Sequence, residues 1–91
     1  MPYIKNDYRS LINGYIKDIT NIIRSQLPYG TDIAGVLNYT ITKLLLGVYR
    51  PDQYWKFNEI MGILECVKQE IYRRSIVPYE DKKILENGDI F

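Results

Sequence analysis

Two short stretches hold most of the side chains that could do chemistry. The first runs Glu70-Ile71-Tyr72-Arg73-Arg74-Ser75-Ile76-Val77-Pro78-Tyr79-Glu80-Asp81-Lys82-Lys83. Arginine forks hold phosphate through paired N–H donors, and tyrosine faces stack on bases. Tyr72, Arg73, Arg74, Tyr79, Lys82 and Lys83 together therefore suit a small anionic nucleotide. The same charges also have a plainer use. At helical spacing Glu70 can pair with Arg73 and Arg74, Glu80 with Lys83, and Lys82 with Glu86, as a solvated face worth little energetically. Basic residues near a helix C-terminus are also favoured by the helix dipole. The second stretch holds Asn38, Tyr39, Thr42 and Lys43. Asn38 and Thr42 stand one helical turn apart, beside an apolar stripe. Such a polar pair either fixes helix register between subunits or reads the polar edge of a ligand.

Other chemistry finds little support. The chain has nine tyrosines and no histidine. Histidine is the commonest general base and the commonest transition-metal ligand. Glu59 and Glu70 share a helix face, but about 16 Å separates them at 1.5 Å of rise per residue, too far to hold one ion. Glu65 and Glu70 point to different faces. Cys66, the only cysteine, would need an activating base to act as a nucleophile and reads as a small packing residue. No Gly-x-Gly-x-x-Gly or Walker-type loop is present. The expectation is a binding protein rather than an enzyme, with no metal and no cofactor. A small hydrolase using Glu59, Glu65 or Glu70 with a metal is the least favoured alternative.

The elements that must position these residues read as helices. Tyr8, Leu11, Ile12, Tyr15, Ile16, Ile19, Ile22, Ile23 and Leu27 recur in steps of three and four, the mark of an amphipathic helix. The spacing predicts a helix over about 7–27, capped by Asn6 or Asp7 and broken by Pro28-Tyr29-Gly30. A second helix over 31–49, capped by Thr31 or Asp32, carries Ile33, Leu37, Ile41, Leu44, Leu45 and Val48 and ends at Arg50-Pro51-Asp52. A third over 52–77 carries Phe57, Ile60, Met61, Leu64, Val67, Ile71 and Tyr72, with Pro78 closing it. A short charged helix over 79–87 stops at Asn87-Gly88. Gly14, Gly35, Gly47 and Gly62 fall inside these helices, where each costs roughly 1 kcal/mol against alanine. Close helix approach or a backbone open to a ligand would explain them, with Gly35 and Gly47 the best placed to sit at frayed ends. The expected fold is all-α: a single helical domain over 1–91, with three main amphipathic helices and a short C-terminal one.

Composition sets the setting. At 91 residues, 46% hydrophobic and 25% charged, the chain is a small folded domain rather than a disordered segment. Domains of this size are marginally stable alone, and oligomerisation is a common remedy. The apolar end Asp89-Ile90-Phe91 also gains by docking. A homo-oligomer is therefore expected. The net charge of +1 gives no global field for nucleic acid or membrane. Residues 1–50 hold six basic and three acidic side chains and residues 51–91 six and eight, which is no basic face. No sequence-specific nucleic-acid binding is expected, and no membrane span. One cysteine and a start lacking a secretion signal suggest a reducing, cytosolic setting.

Several segments together resemble a family of small uncharacterised proteins from phages, prophages and their bacterial hosts. They are Leu37-Asn38-Tyr39-Thr40-Ile41-Thr42, Gly62-Ile63-Leu64-Glu65-Cys66-Val67-Lys68, Tyr72-Arg73-Arg74 with Pro78-Tyr79-Glu80-Asp81-Lys82-Lys83, and Glu86-Asn87-Gly88-Asp89. Met1-Pro2-Tyr3-Ile4 fits as well. The likeness covers most of the chain, is strongest from residue 58 onward and is weak between 10 and 30. In size and helical character that family is similar to viral sponge proteins, which oligomerise and sequester the cyclic nucleotides used as alarm signals in CBASS or Thoeris defence. The resemblance implies a phage anti-defence protein in the bacterial host cytosol, with tyrosines stacking bases and arginines or lysines meeting phosphates. Asn38, Tyr39 and Thr42 would complete the pocket from a neighbouring helix or subunit. The alternative is a helical protein–protein interaction or accessory structural protein of the phage.

Overall fold

Proline and glycine decide where the first two helices stop. Proline offers no N–H to the helical ladder and disfavours a helical conformation in the residue before it. The computed structural model describes residues 1–91. Its elements are α1 (Asn6–Ser25), α2 (Ile33–Tyr49), α3 (Tyr54–Ile71), a π-helical turn (Tyr72–Ile76) and α4 (Val77–Asn87). The fold is all-helical, as expected. The chain divides into two units: Tyr3–Asp52, and Gln53–Phe91 together with Met1–Pro2. No helix is long and apolar enough to cross a membrane.

The helix ends show what local chemistry does. Asp32 caps α2: its side chain accepts the Gly35 N–H at 3.0 Å. Thr31 closes the preceding turn instead, donating its hydroxyl to the Pro28 carbonyl at 2.6 Å. Gly30 makes that turn with φ 84°, a conformation open to glycine at little cost. The cap also accounts for Gly35. A Cβ there would lie 2.5 Å from the Asp32 carboxylate oxygen Oδ2, so any larger residue pushes the cap aside. Gly88 ends α4 at φ 90°, as the Asn87-Gly88 pair predicts.

The start of α1 departs from expectation. Lys5 is its N-cap, with no side-chain cap bond, and Asn6 and Asp7 already lie within the helix. Asp7 contributes there as a negative charge in the first turn, and Arg24 as a positive one in the last, both favourable to the dipole.

The larger correction concerns Pro78, which does not close the third helix. Backbone angles stay right-handed helical through Ile71, Tyr72, Ile76 and Val77. α3 therefore passes through the π-helical turn directly into α4. The Val77 N–H donates to the Tyr72 carbonyl, five residues back. The wider turn, which ends directly before Pro78, accommodates both the proline ring and its missing N–H.

The apolar stripes are where the spacing put them, yet little covers them. Ile60 is the sole buried apolar side chain. Leu11 and Tyr15 of α1 remain 72% and 76% exposed. Within the unit Tyr3–Asp52, α1 and α2 share no extensive interface. A Cβ at Gly14, Gly47 or Gly62 would meet nothing within 4 Å, so close packing inside the chain does not explain these glycines.

The Asp32–Gly35 contact is testable by a double-mutant cycle. Asp32→Ala should destabilise by about 1 kcal/mol. Gly35→Ala should gain little in the wild type, because the clash with the cap offsets the better helix propensity. In the Asp32→Ala background it should gain about 1 kcal/mol. Urea denaturation of the four proteins reads the coupling, and strictly additive effects would refute the cap geometry.

Candidate functional site

The residues of the Glu70–Lys83 stretch are carried on one continuous helical run, so their placement follows from how that run winds. Arg73 and Arg74 lie in the π-helical turn with Tyr72, and Tyr79, Lys82 and Lys83 lie on α4. Tyr72 and Tyr79 are both exposed, at 47% and 61%. Lys83 Nζ sits over the Tyr79 ring, 5.6 Å from its centroid, a cation–π arrangement. Arg73 Nη2 donates to Glu70 Oε1 at 2.8 Å. That pair was expected. Lys83 pairs with Glu86 at 3.1 Å, where the spacing had allowed Glu80. Both lie one turn away, and a lysine reaching toward the C-terminus of its helix also approaches the free carbonyls there.

The arrangement therefore brings together Arg73 with Glu70, and Tyr79 with Lys83 and Glu86. It sets the exposed ring of Tyr72 in the same turn as Arg73 and Arg74, and pairs the exposed ring of Tyr79 with Lys83. A phosphate would find donors here, and a planar ring would find faces to stack on. The carboxylates are the competitors for those donors.

The α2 residues form a separate surface in the unit Tyr3–Asp52. Asn38, Tyr39 and Thr42 line an open hollow with Ala34, Gly35 and Lys43. Thr42 donates its hydroxyl to Asn38 Oδ1 at 3.5 Å, the outer limit of a hydrogen bond. Tyr39 is 66% exposed. The polar pair thus faces solvent rather than the edge of a core. Gly35 was among the helix glycines that a backbone open to a ligand would explain, whereas Ala34 gave no signal because a small residue carries no chemistry of its own. What they supply is the room.

A second hollow had no sequence signal at all. Met1 and Pro2 lie beside α3 and border, with Ile63, Cys66, Val67, Glu70 and Ile71, a mostly apolar space of about 300 Å³. Periodicity locates the face of a helix but not the chain end that settles near it. Cys66 borders this hollow and is exposed. Glu65, one of the carboxylates weighed for acid–base chemistry, instead accepts from Gln69 at 2.9 Å and stands 3.9 Å from Lys68. No three Cys, Asp or Glu side chains converge as a ligand set.

The sequence profile of a domain of unknown function, DUF6899, matches residues 1–90. The chain belongs to the DUF6899 family. The match spans both units of the DUF6899 chain and takes in the tyrosine–arginine stretch as well as the α2 hollow. No curated protein and no solved structure matches it.

The Glu70–Arg73 pair lends itself to a direct check. With the Arg73 side chain 63% exposed and that of Glu70 24%, the guanidinium end of the pair is solvated and the carboxylate half-buried. Glu70→Gln in this DUF6899 protein should shift unfolding stability by no more than about 0.5 kcal/mol. Thermal and urea unfolding measure this. A loss several times larger would make the pair a structural strut rather than a surface contact.

Proposed function

We propose that this DUF6899 protein is a non-enzymatic, homo-oligomeric binder that sequesters a small anionic nucleotide. The ligand class is the cyclic messenger of bacterial antiviral defence, and the setting is the cytosol of a phage-infected host. One observation carries the reading. Arg73 and Arg74 lie in a single wide turn next to the exposed ring of Tyr72, and Lys83 rests over the exposed ring of Tyr79 just beyond. Cations paired with open aromatic faces are the combination that phosphates and bases require. The α2 hollow, with Asn38, Tyr39 and Thr42, supplies a second polar surface suited to the edge of a base. Holding the ligand intact fits a site whose side chains bring donors and faces but no histidine.

The exposed aliphatic faces favour a second reading, a helical protein that acts by binding another protein. The two readings part on a small-molecule panel. Cyclic di- and trinucleotides and cyclic ADP-ribose isomers should include one that raises the melting temperature by linkage. That ligand should be recovered chemically unchanged after heat release from the protein.

The binding residues follow from the same observation. Replacing Arg73 and Arg74 together by alanine should weaken the ligand by about 100-fold or more, since each charge-assisted bond is worth roughly 1.5–3 kcal/mol. Tyr79→Ala should cost about 1–3 kcal/mol of affinity, and Tyr79→Phe should retain most of it. Calorimetry, with circular dichroism to confirm the helices, reads all three variants. A folded double-alanine variant with wild-type affinity would move the site elsewhere. A panel without any stabilising nucleotide would favour the protein-binding reading.

A further inference from the structure

Five of the six exposed large aliphatic side chains of α2 fall in one line, and Leu46, 46% exposed, lies off it. Ile33, Leu37, Ile41, Leu44 and Val48 are 43%, 44%, 45%, 64% and 72% exposed. At about 100° per residue they occupy a sector of roughly 80°. Val36, Thr40 and Tyr49, off that line, are partly covered. Lys43 is the only charged side chain between Ile33 and Tyr49. A continuous row of five large aliphatics is the kind of surface that marks an interaction site rather than ordinary solvent-facing helix.

We propose that this row is a self-association seam, on which α2 of a second copy lies antiparallel across a two-fold axis at Ile41. The order of the row favours a second copy over a foreign partner. Read from either end, its spacing is nearly the same. An antiparallel copy sets Ile33 against Val48, Leu37 against Leu44, and Ile41 against its own counterpart. Every layer is then apolar, and the contact is isologous and closes on itself.

The helix ends select the direction. Asp32 caps the N-terminus of α2, and Arg50 follows its C-terminus. Antiparallel pairing opposes the two helix dipoles and brings the aspartate end of one copy to the arginine end of the other. Parallel pairing would align the dipoles and bring like charges together. The Asn38–Tyr39–Thr42 hollow lies about 150° away around α2, so the seam leaves it open. The inference extends the homo-oligomer of the functional reading and does not depend on the nucleotide.

Cysteine cross-linking tests the seam without disrupting it. Cys66 is the only native cysteine, so Cys66→Ser gives a clean background. Three variants are made in it: Ile41→Cys, Ile33→Cys, and the pair Ile33→Cys with Val48→Cys. Each is oxidised and resolved without reductant, and the wild type is sedimented in parallel. The expected result is a wild-type mass at least twice the 10.8 kDa of the chain. Ile41→Cys and the paired variant should give covalent dimers, and Ile33→Cys alone should not. A wild-type monomer would overturn the seam, as would a dimer in which Ile41→Cys fails to cross-link. Efficient cross-linking through Ile33→Cys alone would overturn the antiparallel direction. A monomer that binds nucleotide defeats the seam only. An antiparallel dimer that binds no nucleotide on the panel upholds the seam and defeats the nucleotide reading.

Discussion

Apolar surface left open to water is the constraint on which the rest of this structure depends. Each Å² of such surface kept from water is worth roughly 25 cal/mol. Helices of ordinary length are marginal in water without tertiary cover. Here α1 and α2 carry long aliphatic and tyrosine rows that stay exposed, and only Ile60 is buried. Within the unit Tyr3–Asp52 these two helices give each other little such cover. Gly14 and Gly62 fit the same account, since each leaves backbone accessible where a neighbouring helix could approach closely.

The π-helical turn is the device that places the cation–aromatic stretch. Without it Pro78 would end the third helix, and Tyr79, Lys82 and Lys83 would lie on a separate segment of independent direction. With it, Glu70, Arg73, Tyr79 and Lys83 ride on one rod. Their order along the rod explains the pairing. Arg73 turns back to Glu70, whereas Lys83 reaches Glu86 while its ammonium also lies over the Tyr79 ring. Wide turns of this kind are uncommon in helices and occur often at functional sites.

Much of this was legible in the sequence because helical periodicity and end signals are local. The stripes of Tyr8 to Ile22 and Ile33 to Val48 sit on helices, Asp32 caps, and Asn87-Gly88 stops the last helix. Pro78 was misread because a proline ends a helix where its ring and missing N–H meet the regular i→i−4 ladder, and the wide turn directly before it changes that ladder. Periodicity shows which face of α1 or α2 is apolar. It does not show what covers that face, since the covering partner is not a local property. The settling of Met1 and Pro2 beside α3 was illegible for the same reason. At the site, the composition of the Tyr72–Lys83 stretch was plain, but the choice of Glu86 over Glu80 by Lys83 depended on a rotamer.

The wide turn at Tyr72–Ile76 also makes the rod a mechanism of phase. Successive residues of an α-helix are offset by about 100°, so the α4 faces are timed against those of α3 by a single surplus residue. Shortening the turn by one residue would leave every charge and ring of α4 present while swinging them about a third of a revolution. Tyr79 and Lys83 would then look out on a different side of the rod from the one they now face. The chemistry of the stretch is thus written twice, once in residue types and once in the length of a turn. A natural variant that keeps every tyrosine and arginine but loses one position between Tyr72 and Ile76 would retain the composition of the site and lose its geometry.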